Sequence, residues 1–212
     1  MAQEKKEGTW SKLWATPKSR WLLGIPFGAV LMFGLGAVAL GTTNYALHKS
    51  SETEFCYACH SHEQFIKPEY EASTHFSNAA GVRAECSDCH LPHGWLDLVT
   101  TKMIVSLDII PEMQGKISTA EKYEEHRAEL AQDVWHQFIE NDSQFCRHCH
   151  SFEAMNFEQQ DRRVSRQHGR AAENGQTCIE CHYGIVHREP ENATALMEAI
   201  VAEHAGEDAA GD

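Results

Sequence analysis

The longest apolar stretch of the chain lies near its N-terminus, from Trp21 to Leu47, where 27 consecutive positions carry no charged side chain. About 20 apolar residues are enough for a helix to cross a bilayer. Residues 21–47 are therefore predicted to form a transmembrane signal anchor. A cleaved signal peptide is the alternative, because Ala37-Val38-Ala39 resembles a cleavage site. The stretch is longer than the apolar region of a signal peptide, which favours an uncleaved anchor.

Beyond the anchor, helical periodicity is clearest in residues 119–140. Apolar side chains recur there at helical spacing, which predicts an amphipathic helix, and Ser118 with Glu121 forms a capping-box pair at its start. Residues 95–110 are mostly apolar without a clean polar face, and they are predicted to form a helix that is buried in the domain or touches a membrane surface. Residues 189–212 are rich in Ala, Glu and Gly and are expected to form a short helix followed by an acidic, flexible tail.

Charge divides the chain into a basic N-terminal segment and an acidic body. Of the 18 Lys/Arg and 31 Asp/Glu residues, five basic and two acidic ones lie within residues 1–20. By the positive-inside rule, residues 1–20 are expected in the cytoplasm and the acidic body on the other side of the membrane. An acidic body also argues against binding of nucleic acid, which requires a basic patch.

All eight cysteines lie in four Cys-x-x-Cys-His motifs, which span residues 56–60, 86–90, 146–150 and 178–182. We call them motifs 1 to 4. The pattern is typical of covalent c-type haem attachment, in which two thiols bond the porphyrin edge and the adjacent imidazole faces the iron. Two four-cysteine zinc sites or a disulfide framework are the alternatives. Neither explains a histidine directly after every second cysteine.

Four covalently bound haem c groups are therefore predicted, and they would fill the interior of a domain that is poor in long apolar runs. Haem of this type is attached on the outer side of the bacterial cytoplasmic membrane, so residues 48–188 are expected to be a periplasmic tetrahaem domain. The thiols that would attach haem are Cys56, Cys59, Cys86, Cys89, Cys146, Cys149, Cys178 and Cys181. The proximal iron ligands would be His60, His90, His150 and His182.

The four motifs group into two similar dihaem units, about 56–93 and 146–187. The motif histidines are 30 positions apart in the first unit and 32 in the second. Each unit has another histidine ten or eleven positions before its second motif and one shortly after it. Six-coordinate iron in four haems needs four distal ligands, and the matched histidines predicted for this role are His75, His93, His168 and His187. The histidines predicted not to bind iron are His48, His126, His136, His148 and His204.

With these motifs, the chain resembles the NapC/NirT family of membrane-anchored tetrahaem c-type cytochromes, and its pattern is nearest to that of the NapC members. The segments that carry the resemblance include residues 75–78, 81–84, 89–93, 141–143 and 178–187. The resemblance implies a mainly α fold with much irregular structure and one N-terminal transmembrane helix. It also implies a quinol dehydrogenase of the cytoplasmic membrane that takes electrons from menaquinol or ubiquinol. The acceptor would be a periplasmic reductase, most commonly nitrate reductase.

The resemblance further implies a quinol site after motif 2, formed by a lysine and an acidic residue. The matching positions are Lys102 and Asp108. Both residues could equally be ordinary charges on a helix surface. Their setting in an apolar stretch favours a functional role, because a charge that is shielded from water is unfavourable unless it is paired or used.

The chain departs from the family pattern at His62, because family members commonly carry methionine two residues after the first motif histidine. Nine histidines therefore compete for eight axial positions. Either His62 replaces the methionine as a ligand of the first haem, leaving His60 or another position unused, or it is a bystander. An imidazole in place of a thioether would lower the potential of that haem.

Three alternatives to nitrate respiration remain open at this point. The chain could donate electrons to nitrite reductase or another terminal reductase, it could be a multihaem terminal reductase itself, or it could store electrons passively. A terminal reductase needs one iron with an open site, which the supply of histidines argues against. The sequence shows no Ser/His/Asp triad, phosphate loop or nicotinamide fingerprint, so no chemistry beyond quinol oxidation is expected.

Overall fold

The computed structural model describes residues 8–16 and 25–211, with side chains as far as residue 206. These residues are mainly helical and form no β-strand, which confirms the predicted fold class. The chain divides into two compact units, Met1–Ser50 and Ser51–Asp212. Most of the predicted cytoplasmic segment, and residues 21–24 of the predicted anchor, lie outside the described residues.

The helices alternate with turns and irregular segments in both units. In chain order the α-helices are α1 (Thr9–Leu13), α2 (Phe27–Lys49), α3 (Thr53–Cys56), α4 (Lys67–Glu71), α5 (Cys86–His90), α6 (Trp95–Val105), α7 (Ile109–Met113), α8 (Ala120–Glu140), α9 (Gln144–Cys149), α10 (Arg162–Asn174) and α11 (Ala193–Gly211). A π-helical turn spans His62–Ile66, and 3-10 turns span Ser106–Asp108, Phe152–Ala154 and Phe157–Gln159.

In the first unit, α2 has the length and composition of a membrane-spanning helix. It has 23 residues and a mean hydropathy of 1.5, and none of its most apolar window is buried. At 1.5 Å per residue such a helix is about 35 Å long, which suffices for the roughly 30 Å hydrocarbon core of a bilayer. Pro26 precedes its first residue, a position where the missing N–H of proline has no intrahelical role.

In the second unit, the apolar core lies among α8, α9 and α11. Its buried members are Trp135, Phe138, Phe145, Ile179, Ala193, Met197 and Ile200. The helix predicted at 119–140 matches α8, although its N-cap is Thr119, which accepts from the N–H of Lys122 at 3.4 Å, rather than Ser118. The long helix α8 thus forms the central support of the second unit.

Where a short helix and a flexible tail are expected at 189–212, the structure has helix α11, which packs against α8. Ala193, Met197 and Ile200 are 4%, 3% and 1% exposed, respectively. These residues stand four and three positions apart and so share one helix face. The overall composition of residues 189–212, which is rich in Ala, Glu and Gly, does not indicate this apolar face.

Candidate multihaem centre

The four motifs lie on short helices and turns that are brought together in chain order. Motif 1 begins at the end of α3, motif 2 forms α5, motif 3 ends α9, and motif 4 lies in a turn. Helix α5 contacts both α3 and α9. The hydroxyl of Thr53 on α3 accepts from the N–H of Cys86 at 3.3 Å, which fixes motif 2 against motif 1.

Cysteine contacts show the same arrangement within each predicted dihaem unit. The thiols of Cys56 and Cys86 are hydrogen-bonded, and this contact lowers the pKa of Cys86 to about 7. Cys146 and Cys178 are hydrogen-bonded in the same way, which lowers the pKa of Cys178 to about 6. These thiols would become thioethers on haem attachment, so the contacts serve here to locate the motifs. The charge of Cys89 also acts on Cys146, so the motifs neighbour one another in the order 1, 2, 3, 4.

Three of the four motif histidines face a second histidine. The ring centroids are 6.3 Å apart for His90 and His187, 6.4 Å for His150 and His75, and 6.0 Å for His182 and His168. With a metal–imidazole bond of about 2 Å on each side, two axial imidazoles would have centroids roughly 6 Å apart. The side chains present therefore fit six-coordinate haem iron at motifs 2, 3 and 4.

Two of these three histidine pairs join the two predicted dihaem units. His75 precedes motif 2 in the sequence but faces the histidine of motif 3, and His187 follows motif 4 but faces the histidine of motif 2. Only His168 faces a motif histidine of its own unit, at motif 4. Each unit thus supplies one histidine to the other, which would tie the two halves of the domain together when haem is bound.

The environment of these rings favours the neutral form that binds a metal. Burial, with smaller effects of His187 and His62, lowers the pKa of His90 to about 4. Burial also lowers the pKa of His187 and of His75.

In the three distal histidines, the ring nitrogen that would not bind the metal is Nδ1, and its contacts differ from one histidine to the next. The Nδ1–H of His168 donates to Oε1 of Gln160 at 2.9 Å, which leaves Nε2 available as a ligand. Nδ1 of His187 lies 3.8 Å from Oε2 of Glu69. Nδ1 of His75 is buried and has no hydrogen-bond partner among the described residues.

Motif 1 differs from the other three motifs. Nε2 of His60 lies 3.2 Å from the carbonyl oxygen of Ser118 and donates to it, which engages the nitrogen that would otherwise face iron. His62 begins the π-helical turn, a feature found mostly at functional sites. Burial lowers its pKa, and the carboxylates of Glu112 and Asp108 oppose this effect. The structure therefore favours His62 over His60 as the available imidazole.

His93, predicted as a distal ligand, makes a different contact. Its ring stacks on that of His148 with centroids 3.9 Å apart, too close for a metal ion between them. In the described part of the chain it makes no ring contact with a motif histidine. Nδ1 of His126 donates to a carbonyl of its own helix. His136 and His204 contact each other at 3.4 Å, away from the motifs.

The lysine predicted for a quinol site lies beside motif 1. Lys102 on α6 is half-buried, and its Nζ is 5.9 Å from the ring centroid of Phe55. Burial lowers its pKa, whereas nearby Cys56 raises it. A lysine that is partly shielded from water next to a cysteine motif is suited to bind a polar oxygen of a ligand.

The predicted acidic residue also lies near motif 1, together with a carboxylate that the sequence analysis missed. Asp108 is exposed and its charge acts on His62. Glu112, four positions later, accepts from the N–H of Ser61 at 3.2 Å and acts on the same imidazole. The sequence feature that could have identified Glu112 is its position four residues after Asp108 in an otherwise apolar stretch, since residues at i and i+4 lie on the same helix face.

A buried ion-pair network, also missed, holds the segment after motif 4. Arg127 is 6% exposed and donates to Glu69 at 2.6 Å and to Glu124 at 2.9 Å. It also donates to the backbone carbonyl of Arg188 at 2.9 Å. Glu69 in turn accepts from the N–H of Arg188 at 3.0 Å, which positions neighbouring His187. No local pattern could reveal this network, because its members are up to 119 positions apart.

Comparison with known proteins places this arrangement in a family. The model of the NapC/NirT cytochrome c family, N-terminal region, matches residues 18–192. The chain is 37% identical over 182 residues to the cytochrome c-type protein NapC of Escherichia coli, covering 85% of this chain and 88% of NapC. It is 39% identical over 180 residues to the denitrification system component NirT of Stutzerimonas stutzeri, covering 84% and 88%.

A longer relative is also similar. The chain is 50% identical over 164 residues to the cytochrome c-type protein TorY of Haemophilus influenzae, covering 77% of this chain but 44% of TorY. It therefore spans less than half of that protein. No solved structure matches the chain. The family model and the NapC and NirT relatives together show that the chain belongs to the NapC/NirT cytochrome c family, whose members are membrane-anchored cytochromes with covalently bound haem c.

Proposed function

We propose that this protein oxidises membrane quinol and passes the electrons through four haems to a periplasmic reductase. The observation that carries the proposal is the order of the motifs, which neighbour one another from 1 to 4 with Lys102 and Asp108 beside motif 1. Haem c, when bound, supplies one-electron redox chemistry at each motif. A chain of such groups with a polar ligand site at one end suits transfer from a two-electron donor.

The ligand assignment follows from the histidine contacts. Motifs 2, 3 and 4 pair with His187, His75 and His168 respectively, and His62 rather than His60 serves the haem at motif 1. This assignment uses seven of the thirteen histidines of residues 51–212 as iron ligands, and it leaves His60 and His93 without a ligand role. The first cysteines of motifs 1 and 2 are in contact, and so are those of motifs 3 and 4. This recurrence supports the two predicted dihaem units.

The apolar segment 95–113 supports a quinol site at the end of the domain that holds motif 1. Many of its large apolar side chains are exposed, namely Trp95, Leu96, Met103, Ile104, Val105, Leu107, Ile109, Ile110 and Met113. An exposed apolar surface of this kind marks contact with a membrane or an apolar ligand. In this setting the ammonium of Lys102 would orient a quinol oxygen, and the carboxylates of Asp108 and Glu112 would receive the two protons that leave with oxidation.

The location follows from the membrane helix and the charge distribution. With α2 as the single anchor of the bacterial cytoplasmic membrane, the basic residues 1–20 would face the cytoplasm by the positive-inside rule. The second unit would then lie in the periplasm. This side gives the motifs access to a periplasmic acceptor and allows released protons to leave the membrane outward.

The first candidate for the acceptor is periplasmic nitrate reductase, which the family resemblance implied. The similarity to a denitrification component and to TorY supports nitrite reductase or another terminal reductase as the second candidate. The three histidine pairs leave motifs 2, 3 and 4 with both axial positions supplied. This arrangement disfavours a terminal reductase reaction at motifs 2, 3 and 4, since such a reaction needs an open iron.

Replacement of Lys102 by alanine is expected to slow haem reduction by quinol about ten- to hundredfold. A hydrogen bond to a charged group contributes about 1.5–3 kcal/mol, which corresponds to that range. The measurement is the growth of the reduced haem band after mixing the detergent-solubilised holoprotein with menadiol, a soluble menaquinol analogue. Reduction by dithionite should remain complete in the variant.

Lys67→Ala is a matched control, because Lys67, like Lys102, lies over an aromatic ring at or next to motif 1, 5.1 Å from the centroid of Tyr57, but outside the apolar segment. This control is expected to keep the wild-type rate. Equal slowing in both variants would remove the specific role of Lys102. Failure of the wild-type protein to accept electrons from any quinol would sink the proposed function as a whole.

Replacement of His62 by methionine is expected to raise the midpoint potential of one haem by on the order of 0.1 V, a fraction of the roughly 0.8 V that axial ligands span. A thioether ligand favours the reduced iron more than an imidazole does. A potentiometric titration followed by optical and EPR spectra measures the shift. His126→Met serves as the control and should leave all potentials unchanged, whereas an unshifted titration for His62→Met would show that His62 is a bystander.

A further inference from the structure

Helix α10 carries a cluster of positively charged residues that has no role in the proposed function as described above. Four arginines, Arg162, Arg163, Arg166 and Arg170, lie on this helix, and we call them the arginine face. All four are exposed, and none forms an ion pair with any residue that the structure describes. The chain as a whole has a formal net charge of −13, so this face stands out against an acidic body.

The arginines share one side of the helix. Arg162, Arg166 and Arg170 repeat every four residues, and Arg163 adjoins them, so their side chains project over a common arc. Glu173, near the C-terminal end of α10, lies on the same side of the helix. The helix is well defined at both ends, because Asp161 accepts from the N–H of Arg163 at 2.8 Å and Gly175 ends it in the left-handed conformation with φ 65°.

The opposite side of α10 faces motif 4. His168 stands two residues from both Arg166 and Arg170, which at about 3.6 residues per turn is roughly 200° around the helix. Its ring faces that of His182 at 6.0 Å. The arginine face therefore covers the outer side of the one helix that also supplies a histidine to motif 4.

Motif 4 is also the last in the order of neighbouring motifs, whereas Lys102 and Asp108 lie beside motif 1. If electrons enter at motif 1, as the proposed function requires, they leave at motif 4. A protein that accepts them must approach this end of the domain. Rates of transfer depend on close approach, and charges beside the exit steer that approach.

Resting on the proposed function, we propose that the arginine face of α10 is the docking surface for the electron acceptor, a redox protein that presents acidic side chains around its own redox centre. Guanidinium groups suit this role because they bind carboxylates with two parallel hydrogen bonds. An anionic membrane surface is a poorer fit. Val164 is the exposed large apolar side chain of α10, and an interfacial helix needs an apolar face to bury in lipid.

The test uses the full-length holoprotein in neutral detergent, reduced with dithionite so that the result does not depend on quinol oxidation. Its reoxidation is followed with two protein probes, plastocyanin as an acidic acceptor and mitochondrial cytochrome c as a basic one. The wild-type rate with plastocyanin is expected to fall as salt is added, because attraction between opposite charges is screened. A rate that rises with salt would show that the net negative charge governs the encounter and would overturn the proposal.

Charge reversal in Arg166→Glu/Arg170→Glu is expected to slow reoxidation by plastocyanin roughly tenfold or more, within the range of electrostatic steering, and not to slow cytochrome c. The control Lys116→Glu/Lys122→Glu changes the net charge equally at another surface and should change the plastocyanin rate by about twofold at most. The conservative variant Arg166→Lys/Arg170→Lys should keep the steep salt dependence. Equal slowing in the reversal and control variants would overturn the assignment to α10.

Reconstitution into nanodiscs separates the lipid alternative from protein docking. In discs of phosphatidylcholine, the reversal is expected to have the same effect as in detergent. An effect that appears only in discs containing phosphatidylglycerol, and for both protein probes alike, would assign the arginine face to lipid instead. Quinol-dependent reduction of the wild-type protein is measured separately, so its absence tells against the proposed function and leaves the docking result intact.

Discussion

Replacement of His187 by alanine is expected to convert one of the four haems from low spin to high spin. The ring of His187 faces that of His90 at 6.3 Å, a separation that places one iron ligand on each side of motif 2. Without His187, this iron would lose a strong-field imidazole and keep a single protein ligand. Low-temperature EPR of the oxidised holoprotein measures the change as one haem equivalent of high-spin signal beyond that of the wild type.

His93→Ala is the informative control, because the sequence pattern predicts His93 as a distal ligand just as it predicts His187. The stacked contact of His93 with His148 leads us to expect no change of spin state in that variant. High-spin signal from His93→Ala together with an unchanged spectrum of His187→Ala would refute the pairing inferred from the ring contacts. His148→Ala should also leave the spectrum unchanged.

Replacement of Arg127 by methionine is expected to lower the free energy of unfolding by about 3–5 kcal/mol, the usual effect of removing one partner from a buried ion pair. Arg127 is 6% exposed and joins Glu69, Glu124 and the carbonyl of Arg188. Its loss would leave Glu69, whose side chain is 18% exposed, with the longer ion pair to Arg188 at 3.9 Å. Denaturation of the holoprotein by guanidinium chloride, followed by far-UV circular dichroism, measures the effect.

The exposed pair between Lys116 and Glu129 provides the matched control for this prediction. Its atoms are 3.0 Å apart, but its side chains are 42% and 57% exposed, and exposed pairs contribute little to stability. Lys116→Met should therefore shift the denaturation midpoint far less than Arg127→Met. Comparable shifts would mean that the network around Arg127 is not a principal support of the second unit.

The same network predicts a dependence on pH. Hydrogen bonding from Arg127 lowers the pKa of Glu124 below its ordinary value of 4.5. A carboxyl whose pKa is lower in the folded state stabilises the fold above its unfolded pKa, and this contribution is lost as the pH falls through the folded value. The difference in stability between the wild type and Arg127→Met should therefore shrink as the pH is lowered below about 4.5.

Several predictions from sequence depended only on neighbouring residues, and these correspond to the structure. The apolar run at 21–47 overlaps α2, and the periodic stretch 119–140 overlaps α8. Each haem motif is likewise complete within five residues. In each case the physical requirement is local: a helix long enough for a bilayer, one apolar helix face, or two thiols and an imidazole at fixed spacing.

Which histidine faces each motif histidine could not be predicted from neighbouring residues, because most of the paired histidines are far apart in the sequence. Symmetry between the two units nominated both His93 and His187, but the ring contacts pair His187 with motif 2 and stack His93 on His148. The choice between His60 and His62 also depended on a distant group, the carbonyl of Ser118, which engages His60 across 58 positions of sequence. A repeat in the sequence does not determine whether a histidine faces a motif of its own dihaem unit or of the other one.

The sequence alone thus determined the four Cys-x-x-Cys-His motifs, the candidate membrane helix and the family, because each rests on residues close together in the chain. The tertiary structure decided which histidines face one another and that Ala193, Met197 and Ile200 of α11 are buried where this helix meets α8. It also decided that Arg127 supports the segment of His187, and that four arginines lie on the outer side of the helix that carries His168. These features depend on contacts across tens of residues, where the path of the chain determines which side chains meet.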